Sequence, residues 1–333
     1  MKFPKQCKVY IVGGYVRDSI LNISPHDKDY VVVGATLEIM EDCGFKKVGA
    51  DFPVFLCPIS GKEYALARTE RKTEKGHKGF SVDFSQNVTL EEDLVRRDLT
   101  INAMAMDDEG DIIDPFNGKQ DLKDKILRHV SEAFSEDPLR VYRTARFAAQ
   151  LEEFIVHETT IKLMYSLDSE LLTLSKERIW KELEKALKAK HTFRFFEVLK
   201  TANLIHHFFK NDNDYEIAME ELKRFNTFEE KVIALRNANL TTLDDSNLIR
   251  LIKCSKILLE SINKISSVEL YKLLDYRRRP IPVILNFLSD EDKERISKHF
   301  KLFETNQLNV VGKNPSDIPK LIEEHMNNLI LGC

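Results

Sequence analysis

Two stretches decide how this chain folds: Val9-Tyr10-Ile11-Val12-Gly13-Gly14-Tyr15-Val16-Arg17-Asp18 and, shortly after it, His26-Asp27-Lys28-Asp29-Tyr30-Val31-Val32-Val33. The first begins as a short apolar run and stops at a glycine pair, the pattern of a buried strand entering a tight turn. A helix follows, with Val16, Ile20 and Leu21 on one face and Arg17 and Asp18 on another, and Asn22 and Pro25 end it. Asp29 to Gly34 is β-branched and predicts a second strand. Residues i and i+2 of a strand share a face, about 6–7 Å apart. Asp27 and Asp29 can therefore converge on one Mg²⁺, or on two ions about 3.5–4 Å apart of the kind used in phosphoryl transfer.

An Asp-x-Asp alone reads first as a polar strand start with solvated aspartates. A calcium loop of the EF-hand type is excluded, because Val31 stands where a third oxygen ligand is needed. The His26-Asp27 pair has no helical histidine partners and does not predict a metallohydrolase. The neighbouring turn is what shifts the balance. Glycines at 13 and 14 let backbone N–H groups approach an anion, the following helix N-terminus favours negative charge, and Arg17 adds a donor for phosphate. The glycines form neither a Walker loop nor a Gly-x-Gly-x-x-Gly fingerprint.

Outward from this segment, a helix near Leu37–Cys43 and strands at Phe55–Cys57 and Glu63–Arg68 complete an α/β head. From Ser135 onward the strand signal disappears, and helical periodicity runs through Pro138–Leu151, Thr159–Leu167, Lys176–Lys188 and Thr192–Ala202. Lys210 to Asp214 and Asn306 to Pro319 read as polar or irregular loops. The 333 residues suffice for two or three domains, and 43% apolar with 31% charged residues is a globular composition. The net charge of −4 does not announce a nucleic-acid partner, so any such contact rests on local basic patches. No run spans a bilayer, and the first residues lack an apolar leader core, predicting a cytoplasmic protein without membrane contact. Five scattered cysteines without metal-site spacing fit reduced thiols.

Three further blocks carry chemistry. In Glu91-Glu92-Asp93-Leu94-Val95-Arg96-Arg97-Asp98-Leu99-Thr100-Ile101-Asn102, Arg96 and Arg97 offer phosphate forks, while Asp98 and Asn102 orient them or bond a ribose hydroxyl. A salt-bridged helix turn explains the same residues. In Glu136-Asp137-Pro138-Leu139-Arg140-Val141-Tyr142-Arg143-Thr144-Ala145-Arg146, Asp137 suits an N-cap and Pro138 the first helical position. Arg140, Arg143 and Arg146 then recur along one helix edge. Asp137 and Arg140, one turn apart, set an acceptor beside donors, as reading a nucleobase edge demands, and a good bidentate contact gives about 1–3 kcal/mol of discrimination. Lys176 to Leu183 holds the only tryptophan, Trp180, read as core. Tyr64 to Phe80 is a basic, glycine-containing loop, and Arg277-Arg278-Arg279 with Lys253 and Lys256 are candidate RNA-backbone contacts.

Val12-Gly13-Gly14-x-Val16-Arg17-Asp18 followed by Asp27-x-Asp29 resembles the head of the class II CCA-adding tRNA nucleotidyltransferases and bacterial poly(A) polymerases, within the DNA polymerase β superfamily. The Arg96-Arg97-Asp98 block, Gly118 to Arg128, Glu136 to Ala148 and Lys176 to Leu183 resemble successive motifs of that family, so the likeness covers about residues 8–205. Phe52 to Leu56 and Glu63 to Lys72 are similar to the bacterial CCA-adding branch.

The resemblance implies an α+β head of DNA polymerase β nucleotidyltransferase type over 1–130, a helical neck over 131–190 and a helical body and tail over 191–333. It implies catalytic, Mg²⁺-binding Asp27 and Asp29; nucleotide-binding Gly14, Arg17, Arg97 and Asp98; and base selection by Asp137, Arg140 and Arg143. Glu177, Arg178 and Glu182 would position the base-reading helix, the 64–80 loop would help switch nucleotides, and Glu63 or Glu70 would be a third carboxylate. CTP and ATP would be substrates, tRNA the partner, and CCA addition with pyrophosphate release the reaction. Partial CC- or A-addition, poly(A) synthesis and a catalytically retired RNA binder compete with that reading. The appended His-Asp hydrolase domain of some relatives is missing from the resemblance.

Overall fold

The computed structural model describes residues 3–24, 27–48, 54–72, 80–238 and 240. The chain divides into two compact units between His206 and His207. In the first, β1 (Lys8–Val12) leads through Gly13 into α1 (Gly14–Ile20), and β2 (Asp29–Val33) returns antiparallel to β1. After α2 (Leu37–Asp42) come β3 (Lys46–Val48), β4 (Val54–Leu56) and β5 (Glu63–Leu66). The hairpin β6 (Thr69–Lys72) and β7 (Phe80–Asp83) precedes α3 (Leu90–Val95), β8 (Ala105–Met106) and β9 (Ile112–Ile113). The main sheet is mixed, in the order β3-β4-β5-β2-β1-β8-β9, with β2 parallel to β5 and its other pairings antiparallel.

The unbroken valines of β2 follow from this position near the middle of the sheet. Val31 packs with Val12, Leu94, Ala103 and Ala105 on one face, and Val32 with Met40, Phe55 and Leu66 on the other. A strand covered on both faces needs no polar alternation. Thr89 and Glu92 form a reciprocal capping box that starts α3 where the sequence changes from loop to helix.

Next come α4 (Gly118–Asp124), β10 (Ile126–Leu127), α5 (Leu139–Gln150), β11 (Ile155–Val156), α6 (Glu158–Ser166), α7 (Asp168–Leu171), α8 (Lys176–Leu187) and α9 (Phe193–Thr201). The helices expected after Ser135 are present, but the loss of strand is not complete. Ile155 and Val156 pair in parallel with Ile126 and Leu127. Two residues are too few for an alternation pattern to register. Helix α5 is the hub: Tyr142, Ala145 and Ala148 are buried in it, Tyr142 stacks on Phe195 of α9, and Trp180 of α8 is buried as expected. The 118–128 block is less of a surface feature than its charge suggests. Asp121 is buried, paired with Arg128 and accepting from the Thr100 hydroxyl.

The second unit contains α10 (Asp212–Arg224) and α11 (Phe228–Asn237). Here the expected loop at Lys210–Asp214 is corrected. Asn211 accepts from the Asp214 N–H as an N-cap, and Asp212 and Asp214 occupy the first turn, where carboxylates favour the helix dipole. The polar run is a helix start. Arg277 to Arg279, Lys253, Lys256 and the 306–319 segment lie outside the described residues.

Candidate active site

The sheet register brings the two sequence signals together. Asp29 is the first residue of β2 and pairs with Val12, the residue immediately before the Gly13-Gly14 turn. Asp27 precedes the strand and lies in coil, so the shared strand face expected for the two acids is corrected. Both nevertheless line one cleft of about 1020 Å³ with Gly13, Gly14, Arg17, Glu63, Arg97, Asp98, Asp137, Arg140 and Arg143. All nine residues expected to hold metal or nucleotide are thus in its wall, as is Arg178, whereas Glu177 and Glu182 are not.

The cleft has a polarised lining. Asp27 and Asp29 are exposed, and neither accepts a hydrogen bond or ion pair from a described residue. Burial around Asp29 raises its carboxyl pKa; Arg97 opposes this, and the Glu63 and Asp27 carboxylates push it further up. Glu63 belongs beside Asp29 because β5 runs parallel to β2 with Tyr64 paired to Tyr30. The side chain of Glu70, the other candidate third carboxylate, is outside the described set. A cluster of hard oxygen donors whose like charges raise one another's cost is a donor set that suits a divalent cation.

Facing these acids is the turn. Gly13 has φ +72°, open to glycine at little cost, and a Cβ there would stand 3.2 Å from Arg97 Nη1. The glycine that the turn strictly requires is thus Gly13, while Gly14 is the first residue of α1. Arg17 forks Asp18 through Nε and Nη2 at 2.8 and 2.7 Å and donates from Nη1 to Asn102 Oδ1 at 2.7 Å.

The arginine block is braced by a residue whose role sequence reasoning missed. Asp93, fully buried at the end of α3, accepts from Arg96 Nη2 at 2.8 Å, Arg97 Nη2 at 3.1 Å and the Arg68 N–H at 3.3 Å. Burial opposes its ionisation, but the Arg97 and Arg96 guanidiniums outweigh this and hold its pKa below the ordinary carboxylate range. Its spacing of three and four residues from those arginines was the available signal. Asp98 turns elsewhere: it accepts from the Leu99 N–H at 2.8 Å, Asn102 Nδ2 at 3.0 Å and Arg143 Nε and Nη2 at 2.8 and 2.7 Å. Against the penalty of burial, Arg143 and these hydrogen bonds hold its carboxyl far below the ordinary range.

The N-terminus of α5 also lines the cleft. Asp137 accepts from the Leu139 N–H at 3.2 Å and from Arg178 Nη2 of α8 at 3.0 and 3.2 Å. Arg140 Nη1 donates to the Ala133 carbonyl at 2.5 Å. The arginine row does not face one way as a free edge. Arg143 is held by Asp98, and Arg146 by Glu182 at 2.5 Å and by Gln150 at 2.6 Å. Three guanidiniums also gather on one ring: the Cζ atoms of Arg146, Arg17 and Arg143 lie 4.0, 5.1 and 5.9 Å from the centroid of Phe147.

Comparison with known proteins places this architecture. Residues 9–128 match the poly A polymerase head domain family, and residues 153–215 match the family described as "Probable RNA and SrmB- binding site of polymerase A". The chain is 55% identical over 208 residues to a multifunctional CCA protein of Hahella chejuensis, covering 61% of this chain and 49% of that one. It is 50% identical over 244 residues to a CCA-adding enzyme of Alteromonas mediterranea, covering 72% of this chain and 60% of that one. A solved structure of the Thermotoga maritima CCA-adding enzyme complexed with tRNA has a TM-score of 0.61 at 25% identity, covering 97% of this chain and 87% of that one. The chain thus spans about half the length of the curated relatives it matches. Its first unit holds a nucleotidyltransferase head with a mixed sheet, followed by helices. Residues 9–128 thus carry a poly A polymerase head domain, followed at 153–215 by the RNA-binding domain described for the same polymerases. Among the described residues no helix is long and apolar enough to cross a membrane.

Proposed function

We propose that the chain is a CCA-adding enzyme, which transfers nucleotides from CTP and ATP to the 3′ end of tRNA without a nucleic-acid template and releases pyrophosphate. The observation that carries this reading is the convergence in one cleft of Asp27 and Asp29, which no described residue bonds, the Gly13-Gly14 turn with Arg17 and Arg97, and Asp137 with Arg140. The names of the curated relatives, at 50–57% identity, agree with it.

In this reading Asp27 and Asp29 hold Mg²⁺, which supplies neutralisation of charge on the α-phosphate and activation of the primer hydroxyl. The residues of the chain do the rest by placement. Gly14, Arg17 and Arg97 hold the triphosphate and ribose, with Asp98 anchoring the arginine that stands beside them. Asp137, Arg140 and Arg143 meet the base edge. The primer 3′-oxygen forms its bond to the α-phosphorus, the bridging α–β P–O bond breaks, pyrophosphate carries away the electron pair, and the hydroxyl proton leaves to solvent. Positioning and charge stabilisation account for the rate, and no covalent nucleophile is required.

The test is the length and sequence of product formed on tRNA lacking its 3′ CCA, with CTP alone, ATP alone and both, before and after chelation of divalent ions. CC with CTP alone and CCA with both nucleotides is the expected result. A product stopping at CC, one that only gains A, or a poly(A) tail would replace the reading by the corresponding narrower activity. No extension of any RNA would leave a non-catalytic RNA binder.

A further inference from the structure

We propose that Asn102 is a positioning residue that couples recognition of the base to alignment of the triphosphate; this rests on the nucleotide-site reading above. The side chain is buried, 6% exposed, and lines the cleft. Its Oδ1 accepts from Arg17 Nη1 at 2.7 Å and its Nδ2 donates to Asp98 Oδ1 at 3.0 Å. Asp98 in turn grips Arg143 on α5 through Oδ2. An unbroken polar line therefore runs from Arg143, on the base side, to Arg17, on the phosphate side. Phe147 closes it into a ring by standing against both guanidiniums.

An amide suits the middle of this line. Between a guanidinium and a carboxylate the residue has to accept on one side and donate on the other, and the two partners fix which way the amide points. A carboxylate at 102 would satisfy Arg17 but stand against Asp98. An aliphatic side chain would remove one hydrogen bond from Arg17 and one from the buried Asp98. No other described residue bonds both Arg17 and Asp98. Displacement of Arg143 by an ill-fitting base thus moves Asp98, and through the amide moves Arg17 away from the position that steadies the triphosphate. Discrimination at the base becomes discrimination in alignment, beyond what direct contacts to the base supply.

The experiment is a linkage measurement by calorimetry, using the full chain, cytidine as the base-side probe and pyrophosphate as the phosphate-side probe. In the unmodified protein each probe tightens the other reciprocally, by about 5- to 50-fold, the ordinary range for coupled sites. In Asn102→Leu and Asn102→Asp both probes still bind singly, the coupling falls to about 1-fold, and the preference for CTP over UTP in kcat/KM falls in parallel. A residue that merely supports the fold would lower the melting temperature while leaving the coupling ratio unchanged, which would overturn the proposal. Should Asn102→Leu fail to fold, Asn102→Asp, which keeps the shape, decides the matter. Coupling absent from the unmodified protein also overturns it. Failure of the unmodified protein to bind either probe would instead remove the nucleotide-site reading itself.

Discussion

Arg178 of α8 donates through one nitrogen to both carboxylate oxygens of Asp137, at 3.0 and 3.2 Å, and so fixes the acceptor at the start of α5 from a helix 41 residues away. The pair is about one-third exposed, so its direct contribution to stability is small, about 0–1 kcal/mol. Its effect falls on direction. Without Arg178 the Asp137 carboxylate keeps, among the described residues, only its bond to the Leu139 N–H. Arg178→Met is expected to leave the melting temperature within a few degrees while lowering kcat/KM for CTP and ATP by about tenfold, and narrowing the margin over UTP and GTP, the cost of roughly one bidentate base contact. Steady-state kinetics with all four nucleotides would show it. Unchanged selectivity would reduce Arg178 to a surface partner.

The acid pair makes a sharper demand. Among the described residues no side chain bonds Asp27 or Asp29; the Arg97 guanidinium offsets the charge of Asp29 only in part, and Glu63 adds to the repulsion. Removing charge there relieves the empty protein and disables the loaded one. Asp27→Asn and Asp29→Asn are each expected to hold or raise the melting temperature without divalent ions, yet reduce nucleotide transfer by more than about 100-fold, since a lost metal contact costs several kcal/mol of transition-state stabilisation. Added Mg²⁺ should raise the melting temperature of the unmodified protein and not that of the double variant. An equal shift in both would move the metal away from these residues.

Much of this site was legible from residue order alone, and the exceptions share a cause. The strand–turn–helix–strand start, the capped α5 and the paired arginines depend on neighbours within a few positions, where periodicity and capping rules operate. Asn102 bonding Arg17, Arg143 bonding Asp98 and Glu182 bonding Arg146 join residues 36 to 85 positions apart. Spacing has no grip on such pairs. The row of arginines at 140, 143 and 146 looked alike in sequence because helix geometry made them neighbours, and their three different partners come from three other elements. Asn211 was misread for the opposite reason. Its neighbours Lys210, Asp212, Asn213 and Asp214 are polar enough to suggest a loop, although an Asn followed by acids also opens a helix.

Glu182 shows what the neck tolerates least. It is buried beneath α5 with Arg146, both side chains being less than one-tenth exposed. Truncating one partner strands the other charge out of water, which typically costs 3–5 kcal/mol, whereas replacing both with apolar residues can be nearly neutral. Glu182→Leu should therefore destabilise by about 3–5 kcal/mol in urea unfolding, and the double variant Glu182→Leu with Arg146→Met by much less. Additive losses in that cycle would show that the two charges do not depend on each other.

Gly13 sets the distance between the turn and Arg97. At φ +72° any side chain is strained, and a Cβ would press on Arg97 Nη1. With ψ at −130° the backbone lies outside the left-handed helical well, in territory kept almost wholly to glycine, and costs another residue about 1–3 kcal/mol. Gly13→Ala should lower stability by about that amount and weaken binding of pyrophosphate several-fold, because Arg97 has to give way. Gly14→Ala is expected to be milder: Gly14 is helical, and a Cβ there would meet the flexible Arg17 side chain, at 3.6 Å from its Nη2. The reverse order would place the constraint at the second glycine.

Acid should unfold the first unit through two buried carboxylates. Asp98 and Asp93 both have folded-state pKa values depressed by their arginine partners despite burial. A depressed group binds fewer protons folded than unfolded, so its stabilisation is complete above the unfolded value of about 3.9 and is lost as pH falls through the folded one. Urea midpoints should stay level on this account from pH 7 to about 5 and decline steeply below about 4. Asp98→Asn removes one titrating group together with its ion pair to Arg143. Its midpoint should lie well below that of the unmodified protein at pH 7, and the two curves should approach each other towards pH 3. Parallel curves across that interval would mean that Asp98 titrates alike in both states, and that its bond to Arg143 does not hold in solution.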